Sequence, residues 1–207
     1  MITNPEKLVR ESYDKIAGVY HEQRDKSRND DVLNSFASLL SSGAEVLDVG
    51  CGAGVPVAQF LVKSDFKVTG VDFSLSMIEL ARVNVPQATF IEMDMRQLEF
   101  DDGSFDGIAA FYSLFHIQKE DQGAILLKFH DLLRENGVLL FCAGWNQWEG
   151  IKDFHGAQMY WSQPGKEVTR QLVLEAGFDL ILSEVRDYGG DKHYWVMARK
   201  THNPRST

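Results

Sequence analysis

The chain has 207 residues, enough to bury a core without disulfide or metal staples, and 44% of them are hydrophobic and 25% charged, as in globular proteins. Its formal net charge is −9 with no basic stripe, which argues against a nucleic-acid partner, since neutralising phosphates takes clustered lysine and arginine. The N-terminal stretch lacks the apolar core of a signal peptide, no run approaches the roughly 18 apolar residues of a membrane span, and Cys51 and Cys142 fit no zinc or C-x-x-C spacing. The expectation is therefore a cytoplasmic protein with no membrane partner and no metal site.

The predicted elements begin with two helices, over 5–24 and over 30–43. In the second, Leu33, Phe36, Ala37 and Leu40 form one apolar stripe, with acidic residues at its start and Gly43 after its end. Strands and helices then alternate. "EVLDV" (45–49) is a strand, and "VPVAQFLVKS" (55–64) a helix with Pro56 in its first turn. "KVTGVD" (67–72) is the second strand. A helix over 74–85 follows, with Ser74 or Ser76 as its cap and Ser76-x-x-Glu79 as a capping box. "TFIEMD" (89–94) and "GIAAFY" (107–112) are the third and fourth strands, separated by a turn in "DDGSFD". A strong helix over 119–137 stops at Asn136-Gly137 before the fifth strand, "VLLFCAG". An aromatic-rich segment over 145–161 precedes a helix at 166–177, and two strands, 178–188 and 193–200, close the pattern as a hairpin. Alternating elements with short links predict an α/β fold. It is a doubly wound, mostly parallel seven-stranded sheet with helices on both faces and a C-terminal antiparallel hairpin, Rossmann-like in plan. Its ligand crevice lies at the carboxyl ends of the strands.

The first strand runs into "DVGCGAG", where Gly50, Gly52 and Gly54 alternate. Glycine permits a sharp turn and close ligand approach, and the following helix offers free N–H groups. The dinucleotide fingerprint G-x-G-x-x-G would want glycine at 55, where valine stands. The loop alone therefore leaves open a dinucleotide, another nucleotide-like cofactor, or a plain βα turn. Asp72, ending the second strand about twenty residues on, has the position of a carboxylate that accepts both ribose hydroxyls. That role is shared by several cofactor classes. Asp94 ends the third strand and suits an amine donor such as that of adenine.

Taken together, "VLDVGCGAG", "VTGVDFS", "IEMDM" and "FDGIAAFYSLFHI", in that order and at those separations, resemble class I S-adenosylmethionine-dependent methyltransferases of the small, stand-alone type. The resemblance covers about residues 10–200. It implies S-adenosyl-L-methionine as cofactor. Asp48, Gly50, Cys51 and Gly52 would lie at its methionine end, and Asp72 on its ribose. Phe73 and Met77 would flank ribose and adenine, and Asp94 with the Met95 N–H would meet the adenine. The Phe111 backbone would hold the cofactor amino group. Tyr13 and Tyr20 fall in a stretch that resembles a lid helix, where an aromatic ring can close over the sulfonium by cation–π attraction. His116 is the tentative catalytic residue, as an acceptor-side base. Tyr13, Tyr112, Trp145, His155 and Tyr160 are tentative acceptor contacts, with Trp148 and Trp161 in the same aromatic segment.

The implied layout is one domain over 1–207. It has lid helices in 1–43, a cofactor-binding core in 44–144 and an aromatic substrate insertion in 145–165. A helix and hairpin occupy 166–200, and a polar tail 201–207. The expected partner is a small-molecule acceptor and the expected assembly a monomer or homodimer. No N/D-P-P-Y/F motif follows the fourth strand and neither cysteine follows a proline, which turns the reading away from nucleic-acid amino or cytosine methylation. The rival readings are a non-catalytic binder of S-adenosylmethionine or S-adenosylhomocysteine and an NAD-dependent oxidoreductase.

Overall fold

A computed structural model describes residues 4–23, 30–188 and 190–201. The helices are α1 (Pro5–Gln23), α2 (Asp30–Ala37), α3 (Val57–Lys63), α4 (Leu75–Asn84), α5 (Gln122–Leu132) and α6 (Lys166–Glu175). The strands are β1 (Glu45–Val49), β2 (Lys67–Asp72), β3 (Thr89–Glu92), β4 (Phe105–Ala110), β5 (Leu133–Gly144), β6 (Gln147–Phe154), β7 (Ala157–Pro164), β8 (Phe178–Tyr188) and β9 (Asp191–Lys200). Seven strands form one sheet in the order β3-β2-β1-β4-β5-β9-β8. β1 to β5 pair in parallel, and β9 runs antiparallel to both β5 and β8. The expected Rossmann-like sheet with its antiparallel end is present. β6 and β7 form a separate two-stranded hairpin.

Period-two alternation along the strands explains why two cores form, one on each face. Val46, Val68 and Leu140 face one side and pack with Phe36 of α2, Leu61 of α3 and Ile78 of α4. Leu47, Ile108 and Leu139 face the other and pack with Phe129 of α5 and Val173 of α6. Strand order reverses between β1 and β4, so connections diverge there and leave a crevice at the strands' carboxyl ends. A third, smaller cluster joins Val9 and Ile16 of α1 to Met159 and Tyr160 of β7. Burying each such large side chain contributes about 1.5–3 kcal/mol, which ties α1 to the hairpin, as a further cluster with Met77 ties it to α4.

Several expected boundaries move. The helix over 119–137 ends at Leu132 and the chain enters β5 at Leu133. Tertiary partners override the helical pattern: Leu133 pairs with Phe105 across a bulge, Arg134 bridges Glu45 and Asp106, and the Lys200 ammonium donates to the Leu133 carbonyl at 2.8 Å. Pro56 precedes α3 rather than lying in its first turn. Ser74, not Ser76, caps α4, accepting from the Met77 N–H at 3.3 Å. Strand β3 stops at Glu92, and Asp94 instead caps a short 3-10 turn at Met95–Gln97. The aromatic segment, to which the sequence assigns no element, forms β6 and most of β7. His155 and Gly156, at φ 52° and 80°, supply the two positive-φ positions that a tight hairpin turn requires. Most of the polar tail, 202–207, lies outside the described residues, as do positions 1–3 and 24–29 of the expected lid region.

Candidate functional site

Four carboxyl ends converge at the crevice. The loop after β1 turns at Gly50 and Gly52, at φ 70° and 52°, a backbone region that side chains other than glycine strain to enter. A Cβ on Gly50 would lie 2.3 Å from the Ser113 Cβ, so the loop and the segment after β4 touch backbone to side chain. Ser113 fixes that contact by donating its hydroxyl to the Val49 carbonyl at 2.9 Å. Gly50 is thus required by the fold itself, in addition to any ligand.

Asp72 ends β2 nearly buried. Its two carboxylate oxygens accept from Gly52 N–H and Ser74 N–H, each at 2.9 Å. The carboxylate therefore clamps the glycine loop to the start of α4 and keeps spare lone pairs for a ligand's hydroxyls. Burial raises its pKa to about 6, against the lowering effect of the two N–H donors, and the nearby Asp14 adds to the rise. Asp14, on α1, accepts from the Ser74 hydroxyl at 2.6 Å.

Asp94 faces the same cavity, but its carboxylate already takes a two-pronged contact from Arg96. Arg96 also pairs with Glu6 of α1, which closes a bridge over the cavity mouth. Burial works to raise the Asp94 pKa, yet the Arg96 hydrogen bonds overcome it and hold the carboxyl below its usual range. Sequence reasoning missed Arg96, Glu6 and Ser113. An arginine two residues past a strand-end aspartate was the available signal for the first.

The inner cavity enclosed by these groups has a volume of about 60 Å³. Gly50, Gly52, Asp72, Asp94 and Phe111 border it from the strand ends, Phe73, Met77 and Met95 from the following turns, and Tyr13, Tyr20 and His116 from above. Phe111 turns its ring away onto Trp195, centroids 4.9 Å apart, so its side chain belongs to the core. Two expected cofactor contacts fall elsewhere. Asp48 is fully buried within β1, level with Gly70 and Ala109 of the neighbouring strands. Cys51 points into the core beside Phe90 and Gly70. Its thiol pKa is raised well above normal by burial, then by Asp48 and Asp72, so it stays protonated.

His116 sits at the neck between this cavity and a larger outer groove of about 880 Å³; Tyr13, Tyr20 and Tyr112 border both spaces. Its Nδ1 lies 2.7 Å from the Tyr160 carbonyl, which can only accept, so Nδ1 carries the proton. Nε2 is then an acceptor, and the Tyr13 hydroxyl donates to it at 2.9 Å. Burial lowers the His116 pKa to about 4 despite the Tyr160 carbonyl, leaving a neutral imidazole at neutral pH.

The groove's outer wall is the β6–β7 hairpin. Cross-strand partners share a face, which sets Trp148 and Phe154 with Trp161 and Gln163 toward the groove, and Tyr160 with Ser162 toward the body. Tyr160 is accordingly not a groove residue. It is 1% exposed, donates its hydroxyl to Glu149 at 2.8 Å and holds His116 through its carbonyl. Trp145, His155 and Tyr112 do line the groove. Sequence reasoning missed Lys152, Lys192 and His193 beside them. Among the described residues no His, Cys, Asp and Glu cluster could hold a metal ion, and no helix is long and apolar enough to cross a membrane.

Fold and site together define a nucleoside-cofactor enzyme of the doubly wound α/β class, with a ribose-type carboxylate beside a glycine turn. Comparison with known proteins narrows this. Residues 46–137 match the model of a methyltransferase domain. The chain is 30% identical over 160 residues to "O-methyltransferase rstn1" of Aspergillus nomiae, covering 72% of this chain and 70% of that one. It is 26% identical over 172 residues to "Uncharacterized methyltransferase sll0829" of Synechocystis, covering 79% and 80%. The fold superposes, with a TM-score of 0.72, on the 1,6-didemethyltoxoflavin-N1-methyltransferase of Burkholderia thailandensis, solved with its substrate and S-adenosylhomocysteine. The two share 21% identity over 93% of this chain and 85% of that chain. The chain belongs to the class I S-adenosylmethionine-dependent methyltransferases. S-adenosylmethionine is therefore its cofactor, and the NAD-dependent and non-catalytic readings are not favoured. The residues present fit that cofactor: a nearly buried carboxylate with free lone pairs, three methionines (Met77, Met93, Met95) as an apolar bed, and a neck where an aromatic pair meets a neutral imidazole.

Proposed function

We propose that the chain is a single methyltransferase domain that methylates a small-molecule acceptor at a hydroxyl group. The observation that carries this reading is the shared neck: Tyr13, Tyr20, Tyr112 and His116 border both the inner cavity and the aromatic groove. One space suits the donor and the other the acceptor, with their reactive ends meeting at His116. When bound, S-adenosylmethionine supplies an activated methyl group whose leaving group is a neutral thioether, so no acid is required.

Asp72 accepts the ribose hydroxyls while it continues to brace the glycine loop. The Gly52 and Phe111 backbones face the methionine end, and Asp94 and Met95 the adenine. Tyr13 and Tyr20 wall off water at the neck, which leaves alignment of the two reactants as the main source of rate. A hydroxyl acceptor must lose its proton as its oxygen bonds carbon. The Nε2 of His116 receives it through the Tyr13 hydroxyl, and the Tyr160 carbonyl fixes the tautomer that makes Nε2 the acceptor. The similarity to the Aspergillus relative, an O-methyltransferase, supports a hydroxyl acceptor.

An inner cavity of about 60 Å³ is smaller than the roughly 300–1,000 Å³ of ordinary ligand pockets. We take α1 to be a lid that parts from Arg96 and Ser74 to admit the cofactor. The test is a panel of hydroxylated metabolites assayed for release of S-adenosylhomocysteine, with His116→Ala in parallel. Turnover should fall by at least about a hundredfold in the variant while cofactor affinity changes less than threefold. Tight cofactor binding with no turnover on any acceptor would overturn the enzymatic reading.

A further inference from the structure

The walls of the outer groove differ in kind from those of the inner cavity. The inner cavity contains aliphatic and thioether side chains, including Val71, Ile117 and three methionines. Among the described residues, the outer groove has no aliphatic hydrophobic side chain in its wall; its apolar surface is aromatic throughout. Three of the chain's four tryptophans, Trp145, Trp148 and Trp161, line it, while the fourth, Trp195, is buried in the core. Trp145 is 42% exposed, an unusual state for an indole that only packs. Trp148 lies over Gly150, where a Cβ would come within 3.1 Å of its ring, so the glycine lets the indole lie flat along the hairpin. Flat indole faces are complementary to a flat π-system, and such contacts add about 0.5–1.5 kcal/mol each beyond area burial.

Charge at the groove runs against that of the molecule. The protein carries −9 overall, yet Lys152 and Lys192 line this space and Asp191 is the one acidic lining residue among those described. The Lys152 ammonium stands 4.3 Å above the Trp148 ring and the Lys192 ammonium 5.7 Å from the Trp145 ring. Each is thus held beside an indole with its N–H donors available. Lys192 has a long, exposed contact to Asp187 at 3.9 Å, which solvent screens. Of the acids on the β6–β7 hairpin, Glu149 and Asp153 share the opposite face, and Glu149 is taken up there by Lys119 and Tyr160.

We infer that the acceptor is a planar aromatic acid: a conjugated ring system carrying a hydroxyl that enters the neck at His116 and a carboxylate that remains at Lys152 and Lys192. This rests on the proposed small-molecule methyl transfer and specifies its substrate class. The aromatic slot sets the ring plane, and the two ammoniums set which end points inward. A neutral ring would lose the end-to-end selection. An aliphatic acid would lose the stacking.

The test uses matched probes. Planar hydroxy acids with the two groups at opposite ends, such as 4-hydroxycinnamate and 6-hydroxy-2-naphthoate, are titrated against their carboxamides and against malate, an aliphatic hydroxy acid. Saturating S-adenosylhomocysteine is present, and binding is read by calorimetry and ligand-detected NMR. The acids should bind at least tenfold tighter than their amides, and malate should bind more weakly than either acid. In Lys152→Met/Lys192→Met the acid-over-amide ratio should fall to within about twofold of one. Trp148→Leu should weaken acids and amides alike while leaving S-adenosylhomocysteine affinity unchanged. Equal binding of acids and amides, or malate binding as tightly as the aromatic acids, overturns the inference. So does a ratio that survives loss of both lysines. Failure of S-adenosylhomocysteine itself to bind would instead count against the methyltransferase reading, which separates the two failures.

Discussion

Lowering the pH should weaken cofactor binding through Asp72, and the structure gives the size of the effect. The ribose hydroxyls donate to an ionised carboxylate, and burial has raised the Asp72 pKa to about 6. If only the ionised form binds, the apparent Kd rises by the factor 1 + 10^(pKa − pH). It is then about twofold above its plateau at pH 6 and about tenfold above it at pH 5. His116, held near 4, and Cys51, which stays protonated, both titrate outside this window. The amino-acid end of S-adenosylhomocysteine keeps its charges between pH 5 and 7. Calorimetry of S-adenosylhomocysteine binding from pH 5 to 8 is the assay. Asp72→Asn is the control, and it should bind at least tenfold more weakly with a flat profile. An asparagine has only one oxygen for the Gly52 and Ser74 N–H groups, so the loop also loses one brace. The same shift has the opposite sign for the ligand-free fold. A carboxyl whose folded pKa is above its ordinary value of 3.8 is held protonated more tightly when folded. Its contribution is most favourable below 3.8 and declines as pH rises toward 6, a span of about 3 kcal/mol. Ligand affinity that varies less than twofold between pH 7 and pH 5 would refute both halves of this reasoning.

Other outcomes follow from single contacts. Tyr13→Phe keeps the ring at the neck but removes the donor to His116, so turnover should fall about tenfold or more with little change in cofactor affinity by calorimetry. Arg96→Ala breaks the bridge to Glu6 and should speed S-adenosylhomocysteine release several-fold in stopped-flow measurements, because α1 loses one of its fastenings. Gly50→Ala places a Cβ 2.3 Å from Ser113 at φ 70° and should cost about 2–4 kcal/mol in urea unfolding; adding Ser113→Gly should recover only the steric part. Tyr160→Phe loses the hydroxyl bond to Glu149 but keeps the backbone carbonyl on His116. Thermal stability should therefore drop by about 1 kcal/mol while the pH profile of turnover stays in place.

The parts of the fold that depend on local pattern were readable in the sequence, and the parts set by distant partners were not. The short apolar runs in "EVLDV" and "VLLFCAG" suffice for β1 and the inner half of β5, because a strand covered on both faces only needs hydrophobic neighbours. The early end of α5 depends on Arg134 finding Glu45 and Asp106, 89 and 28 residues away, which no local window contains. The β6–β7 hairpin had a local signal in "FHGA", whose histidine and glycine take up the turn, but the density of aromatics masked its alternation. Once that alternation is laid on the hairpin, neighbouring aromatics separate. Trp161 faces the groove and Tyr160 faces the body, a distinction that adjacency in sequence hides.

The donor half of the candidate site is legible for a physical reason that the acceptor half lacks. Asp72 ends β2, Gly50 directly follows β1 and Asp94 lies two residues past β3, so the topology brings them together and their spacing is tied to the strand and helix lengths between them. The groove is built from the hairpin, α1, the turn after β4 and the start of β9, which no repeated spacing relates. Helix α1 is what makes the two halves one site. It reaches the donor side through Asp14 on Ser74 and Glu6 on Arg96, the neck through Tyr13 on His116, and the hairpin through Ser12 on the Gln158 carbonyl. An occupant that orders α1 from either side lowers the cost of ordering it for the other. Any such coupling must be reciprocal: the factor by which donor tightens acceptor binding equals the factor by which acceptor tightens donor binding.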